Sequence, residues 1–289
     1  MDSKNTALKQ GATTEDIQFH YDLSRSFYQH WLDRTMTYSS AMYEGDDDLE
    51  TAQKRKLDHH IAQAEIGPGS RVLDIGCGWG SLMFRCAEQI PSSHCVGLTL
   101  SADQKESIDG ARSDRIEVLL KGWQALEEVH SFDAAVSVGA MEHFVGPGWS
   151  ADDKIAVYRD FFKKVSCVLK PGGCLSLQTI VFDRMEESEF PPFITEKIFP
   201  GSMLPRQSEI LAASDRVLSL VNVRNDALDY ARTCREWVQR IEAAKPELIA
   251  MVGADKTNEY VQYLRMSAAA FERQQFGLLR LKFRSYASA

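Results

Sequence analysis

Three rhythms of apolar and polar positions divide the chain. Across 14–43, Phe19, Tyr21, Leu23, Phe27, Tyr28, Trp31 and Leu32 recur at helical spacing. That pattern is too aromatic for a solvated arm and predicts a helical lid that folds over something. The acidic run Asp46 to Asp48 breaks it, and 49–64 reads as a helix leading into the turn Gly67-Pro68-Gly69. Strands and helices then alternate. Apolar runs near 71–75, 94–98, 115–119, 132–138 and 173–180 predict strands, and stretches near 80–90, 101–111 and 152–169 predict helices between them. Lys170-Pro171-Gly172-Gly173 predicts the turn that ends the last of these helices and opens the fifth strand. Such alternation predicts an α/β fold, a parallel sheet covered on both faces. The third rhythm is irregular: 182–205 carries Pro191-Pro192 and Phe199-Pro200-Gly201, and is followed by a short helix, a strand over 217–223, helices over 231–249 and 255–275, and a β-like run over 278–283. Loops of that length in compact domains are functional or disordered.

At 289 residues and 44% hydrophobic, the chain suits one large domain with an elaboration. Its formal charge of −8, with Lys54-Arg55-Lys56 as the densest cationic run, supplies no field for a phosphate backbone, so nucleic acid is not expected as a partner. The first twenty residues are polar and charged. No window approaches the roughly 18 apolar residues of a membrane span, nor is there a basic amphipathic helix. A soluble, cytoplasmic protein without stable membrane insertion is expected. Six cysteines form no CxxC pair and seven histidines fall in no repeated ligand spacing, which predicts reduced, mostly buried thiols and no metal. The aromatic N-terminal helix can close over its own subunit or a neighbour's, so a homo-oligomer stays open.

The candidate chemistry centres on Val72-Leu73-Asp74-Ile75-Gly76-Cys77-Gly78-Trp79-Gly80, an apolar strand that ends near an acid and runs into glycines spaced two apart. Glycine there lets the backbone take positive φ and approach a ligand, which then sits between the strand end and the following helix. A nicotinamide fingerprint would need glycine where Ser81 stands and an acid at the end of the next strand, 94–99, which has none. The pattern suits S-adenosylmethionine better, with Asp74 meeting the cofactor's ammonium or ordering water beside it. The bland alternative is a βα turn that uses glycine for packing alone.

Further stretches are more specific: His20-Tyr21-Asp22-Leu23-Ser24, Thr35-Met36-Thr37-Tyr38-Ser39, Gly97-Leu98-Thr99-Leu100-Ser101 through Gln104, Gly122-Trp123, Gly139-Ala140-Met141-Glu142-His143-Phe144, Leu177-Gln178-Thr179-Ile180, Ile198-Phe199-Pro200-Gly201 and Asp229-Tyr230-Ala231. With these, nearly the whole chain resembles the cyclopropane fatty acid synthase and mycolic acid cyclopropane synthase family of class I S-adenosylmethionine-dependent methyltransferases. The resemblance implies a Rossmann-like seven-stranded sheet with one antiparallel strand, an N-terminal helical lid, and a helical cap inserted before the last strand. The implied divisions are 1–66 for the lid, 67–181 for the cofactor-binding core, 182–276 for the cap with one core strand near 217–223, and 277–289 for the final strand. It also implies that Tyr38, Ser39, Gly76, Gly78, Thr99, Leu100, Gln104 and Trp123 hold the cofactor, with Asp74, Cys77 and Gly139 in the same motifs. Gly122-Trp123 would lie beside the adenine and Gln104 near the ribose. Thr99 stands where many methyltransferases carry an acid.

In the resembled enzymes a methyl group adds to a cis alkene of a lipid chain, and a base removes a proton from the resulting carbocation. That family holds a bicarbonate ion with a Cys, a Glu, a His, a Tyr and backbone groups. The matching positions here are Ser40, Glu142, Gln178, Tyr230 and Ile180, so Ser40 replaces the Cys and Gln178 the His. Both can still hydrogen-bond an anion or water. Without bicarbonate, Glu142 becomes the base, its pKa raised by burial, and His143 is the substitute. Tyr21, Tyr38, Trp123 and Phe144 are candidate ring faces for a passing cation. Phe182, Phe190, Phe193, Ile194, Ile198 and Phe199 would line an apolar tunnel or seal the cap onto the sheet. The expected activity is methyl transfer to an alkene carbon of an unsaturated acyl or isoprenoid-type acceptor, free or carrier-bound, giving a C-methylated or cyclopropanated product. The alternative is N-methylation of a small amine, and a third reading is a cofactor-binding regulator without catalysis.

Overall fold

The computed structural model describes residues 11–13 and 25–287. In chain order the elements are α1 (Arg25–Gln29), α2 (Leu49–Gln63), β1 (Arg71–Ile75), α3 (Ser81–Gln89), β2 (His94–Thr99), α4 (Ala102–Asp109), β3 (Ile116–Leu120), β4 (Phe132–Val138), α5 (Ala151–Val168), β5 (Leu169–Phe182), α6 (Gln207–Ser214), β6 (Ser219–Asn225), α7 (Ala227–Ala243), α8 (Lys245–Val252), α9 (Ala254–Glu272) and β7 (Phe276–Arg284). Short 3-10 turns and a π-helical turn, Ile194–Ile198, fill some of the connections. The strands form one seven-stranded sheet in the order β3-β2-β1-β4-β5-β7-β6. β7 runs antiparallel to both its neighbours, and the other ladders are parallel. Buried on both faces, β1 is almost wholly apolar until Asp74, as helices on both sides of a parallel sheet require.

Chain order reverses between β1 and β4: the first three strands spread to one side and β4 returns to the other. Ligands in open α/β sheets bind at such a switch, outside the carboxyl ends of the strands. Asp74, Thr99 and Gly139 all fall at those ends. The helices that bring the chain back are capped by their own side chains. Asp48 accepts from Thr51 N at 2.8 Å at the start of α2, and Ser150 accepts from Asp153 N at 3.2 Å at the start of α5, each satisfying a backbone donor the helix leaves unpaired.

Three expectations need correction. The helix expected over 231–249 is two, α7 and α8, with Pro246 in the first turn of α8, where a missing N–H costs nothing but cannot continue a helix. The fifth strand starts at Leu169 rather than 173: its register with β4 jumps from Phe132↔Leu169 to Ala134↔Cys174, so the Lys170 to Gly173 turn becomes a bulge inside the strand. The helical pattern over 14–43 yields only α1 within the described residues; its 14–24 part, with Tyr21, lies outside them. Phe27, Tyr28 and Trp31 are nonetheless buried. Phe27 meets Tyr260 edge-on at 5.0 Å, Trp31 meets Trp237 edge-on at 5.6 Å, and the Tyr28 and Tyr260 hydroxyls lie 3.2 Å apart. The segment after residue 25 is thereby fastened to α7 and α9, the helices inserted before β7.

Candidate active site

The carboxyl ends of β1, β2 and β4 border a cavity of about 910 Å³. Tyr38, Ser39, Asp74, Gly76, Cys77, Gly78, Thr99, Leu100, Gln104, Gly122, Trp123 and Gly139 all line it. Gly76 sits at φ +80, and a Cβ there would lie 2.8 Å from the Ala140 Cβ, so no other residue fits without displacing Ala140. Gly78, at φ +53, has nothing within 4 Å of the Cβ position, which leaves its backbone bare to whatever fills the space. Thr99 Oγ1 donates to Gln104 Oε1 at 2.7 Å, turning the Gln104 NH2 into the group offered to a ligand. Trp123 lies 5.4 Å from the Phe144 ring and edge-on to Phe161 at 5.5 Å. The indole N–H groups of Trp79 and Trp123 are buried and meet no acceptor among the described residues.

Two buried charged side chains face the same cavity. Asp74 is buried, takes no hydrogen bond from a described residue, and is pushed by burial up to about 7, against the pull of Lys56. Lys56, on α2, is buried too; burial brings it down to about 7, and its Nζ donates to Ser39 Oγ at 2.8 Å. An apolar shelf, bare glycine backbone, unpaired indole donors, an amide donor and one buried charge of each sign suit S-adenosylmethionine, whose adenosine and amino-acid ends need those contacts.

A smaller cavity of about 70 Å³ adjoins, sharing Tyr38, Ser39, Gly139 and His143 with the first. Its wall adds Glu142, Gln178, Ile180, Phe190, Ile194, Phe199 and Tyr230. Glu142 Oε1 accepts the Ile180 N–H at 2.7 Å, while Oε2 is buried without a partner among the described residues. Burial raises Glu142 to about 7, with the Ile180 hydrogen bond as the main opposing effect. His143 is brought down to about 4 by burial and shares a 2.7 Å hydrogen bond between Nδ1 and Ser202 Oγ. Tyr230 stacks on Phe271 at 4.6 Å. Ser40 lines neither cavity: it is fully buried and its hydroxyl donates to the Ala41 carbonyl at 3.0 Å. Of the apolar side chains expected to make a tunnel, Phe190, Ile194 and Phe199 reach this cavity. Phe182 and Ile198 are buried in the core, and Phe193 packs against it.

Behind Gln178 runs a polar network that the sequence reading missed. Gln178 Oε1 accepts from Arg280 Nε at 2.9 Å and lies 3.2 Å from His60 Nε2. His60 Nδ1 meets Ser176 Oγ at 2.7 Å, and Ser176 donates on to Gln63 Oε1 at 2.6 Å. Arg280, fully buried, also pairs with Asp226 and donates to the Ala41 carbonyl at 2.9 Å. With its oxygen claimed from behind, Gln178 is left with its NH2 for the cavity. The overlooked signal is in α2, whose inward stripe carries Gln53, Lys56, His60 and Gln63; polar residues in a buried stripe are paired or functional.

Comparison with known proteins supplies the family. Residues 8–281 match the family model for mycolic acid cyclopropane synthetase. Cyclopropane mycolic acid synthase 2 of Mycobacterium leprae is 36% identical over 86% of this chain and 87% of its own length. Cyclopropane mycolic acid synthase 3 of Mycobacterium tuberculosis is 35% identical over 89% of this chain and 92% of its own. Among solved structures, the cyclopropane synthase MmaA2 from Mycobacterium tuberculosis superposes with a TM-score of 0.85 at 32% identity, covering 95% of this chain and 99% of that one. CmaA1 complexed with SAH and CTAB gives 0.85 at 30% identity, over 94% and 98%. The chain thus belongs to the mycolic acid cyclopropane synthetase family and is a methyltransferase that uses S-adenosylmethionine.

Proposed function

We propose that this enzyme transfers a methyl group to an alkene carbon of an apolar acceptor, an unsaturated acyl or isoprenoid-type chain, and that Glu142 then removes a proton from the acceptor. The observation that carries this reading is the buried, half-satisfied Glu142 carboxylate in the wall of the smaller cavity, beside His143, which borders both cavities. S-adenosylmethionine supplies an electrophilic methyl group when bound. An alkene that accepts a methyl becomes a cation, which must lose a proton to close a cyclopropane or re-form a double bond. Glu142 Oε2 is the acceptor for that proton, while the backbone N–H of Ile180 holds Oε1 in place. The rings of Tyr38 and Tyr230 face the cavities where the cation forms and stabilise it without reacting. The cage around Tyr38, with Trp31 at 5.3 Å and Trp237 at 5.4 Å, keeps that ring fixed.

We read 182–276 as the acceptor-side cap, 67–181 as the cofactor-binding core and 1–66 as a lid. Phe190, Ile194 and Phe199 supply an apolar wall suited to a hydrocarbon chain. With Ser40 turned away and Gln178 presenting an amide, we assign the proton transfer to Glu142 rather than to a bound bicarbonate. Six free thiols fit a reducing compartment such as the cytoplasm. No helix among the described residues is long and apolar enough to cross a membrane, which suits a free or carrier-bound acceptor.

Mass spectrometry of reactions containing S-adenosylmethionine and a panel of unsaturated acyl chains, isoprenoid diphosphates and tertiary amines tests the proposal. A gain of one methylene on an alkene is the expected result. Uptake into amines alone would overturn it.

A further inference from the structure

We propose that Gln178 selects the methyl acceptor: its amide NH2, held toward the smaller cavity from behind, hydrogen-bonds an oxygen that the acceptor carries close to its double bond. The acceptor class narrows accordingly, from any unsaturated chain to an electron-rich alkene with an alcohol, ether or ester oxygen on a saturated carbon nearby. This assignment rests on alkene methylation as the reaction and deepens it, because Glu142 and the apolar wall do not by themselves choose among alkenes.

The orientation of the amide is fixed by chemistry as well as by shape. Gln178 stands directly opposite Arg280 in the ladder between β5 and β7, and Arg280 Nε donates to its Oε1 at 2.9 Å. A guanidinium has donors only, so the Gln178 atom turned toward it is the oxygen and the atom turned away is the NH2. Arg280 is itself held by Asp226 and the Ala41 carbonyl. Gln178 is 1% exposed and lines the smaller cavity, and its Nε2 makes no hydrogen bond to a described residue. Two residues on along β5, the Ile180 N–H holds Glu142 Oε1 at 2.7 Å. The Gln178 carbonyl accepts the N–H of Gly139 at 2.9 Å, and Gly139 borders both cavities. Amide donor, base and cofactor cavity therefore meet around one stretch of β5.

The wall around that NH2 is mainly apolar, with Phe190, Ile194, Phe199, Met203 and Leu204. A hydrocarbon chain that fills so small a space excludes water and leaves the buried N–H groups unpaired, which costs more than an ordinary hydrogen bond gains. An acceptor oxygen removes that cost. Pockets built to bond a substrate's polar group reject the analogue lacking it more sharply than an apolar pocket rejects a missing methylene. The oxygen belongs on a saturated carbon, since a carbonyl conjugated with the double bond would withdraw electrons from the π bond that must attack the sulfonium methyl.

The test is steady-state turnover of the purified full chain with S-adenosylmethionine and matched cis alkenes of one chain length: a hydrocarbon, its homoallylic alcohol and the methyl ether of that alcohol, each dispersed in the same detergent. The wild type is expected to show kcat/KM roughly ten- to a hundredfold higher for the alcohol and the ether than for the hydrocarbon, the scale of one buried hydrogen-bonding group left unpaired. Binding of the saturated ether and the saturated hydrocarbon to the S-adenosylhomocysteine complex, read without turnover, should differ by a similar factor. Gln178→Glu keeps an oxygen for Arg280 and replaces the NH2 by a second acceptor. The ether, which can only accept, should then fall to the hydrocarbon's level, while the alcohol, which can donate, keeps its advantage. Methylation of all three alkenes with equal kcat/KM by the wild type would overturn the proposal, and that comparison needs no variant to fold. A wild-type rate that rises with added bicarbonate, and loses that rise in Gln178→Glu, would overturn it too, making the amide an anion ligand. Methyl uptake into tertiary amines with none into any alkene would instead remove the reaction beneath it, and the proposal with it.

Discussion

Glu142 joins two properties that a surface carboxylate lacks: one oxygen fixed by a backbone N–H and the other buried without a partner. Substituting Glu142→Gln keeps the shape and removes the proposed base. Turnover should fall by about 10²–10⁴, the usual contribution of a positioned base, while S-adenosylhomocysteine binding in the neighbouring cavity stays at the wild-type level; calorimetry beside steady-state rates separates the two, and lost binding would make Glu142 structural. The pH dependence follows with its sign. A carboxylate accepts a proton only when ionised, and burial raises Glu142 to about 7, so the rate should climb as pH rises toward about 7 and level off above it. A single-turnover profile that is flat below neutrality would contradict this assignment. His143, held well below its ordinary pKa by burial, is neutral across that range and contributes no second limb. What could be read directly at this scale was local: Asp74 and its glycines occupy one turn, and Glu142 one short motif. Lys56 was hidden by its neighbours. Lys54-Arg55-Lys56 looks like a solvated basic run, but helical phase leaves Lys54 exposed and turns Lys56 inward.

Among the elements, strands and helices of the 67–181 region were legible because the strands are short apolar runs and the helices between them repeat apolar positions at helical spacing. Those less legible were set by partners far along the chain. The split between α7 and α8 and the bulge in β5 depend on what packs against them, and a propensity pattern carries no such record. β7 shows the same limit. It reads as an apolar run, yet Arg280 at its centre is fully buried because Asp226, Gln178 and the Ala41 carbonyl converge on it. Removing the guanidinium would leave Asp226 Oδ2 and the Ala41 carbonyl without their buried donor, with Arg224 still holding Asp226 Oδ1 at 2.7 Å. Arg280→Met should therefore destabilise the fold by about 3–5 kcal/mol, the cost of breaking a buried ion pair from one side. Urea unfolding measures it, and a loss below about 1 kcal/mol, the worth of an exposed pair, would show the network to be dispensable.

For the whole molecule, architecture decides where the cavities sit: the reversal of strand order opens the large one, and the helices inserted before β7 supply Tyr230 and Tyr263 to the smaller. Ligand and fold are consequently linked. A cofactor product at about 100 times its dissociation constant should add about 2.7 kcal/mol of stability, seen as a rise of several degrees in Tm by calorimetry; an unchanged Tm at saturating S-adenosylhomocysteine would mean that the cavity does not take it. The antiparallel closing strand also bears on how the protein is made. Arg280 reaches back to Ala41, Gln178 and Asp226, so during translation the glycine turn, Glu142 and Tyr230 have all been made before the residue that links those three segments. A polypeptide released early, at residue 275 for instance, carries Glu142 and Tyr230 but lacks Leu278 of the smaller cavity's wall and the Arg280 that holds Gln178. Activity is therefore expected only of chains that have been read through the final strand.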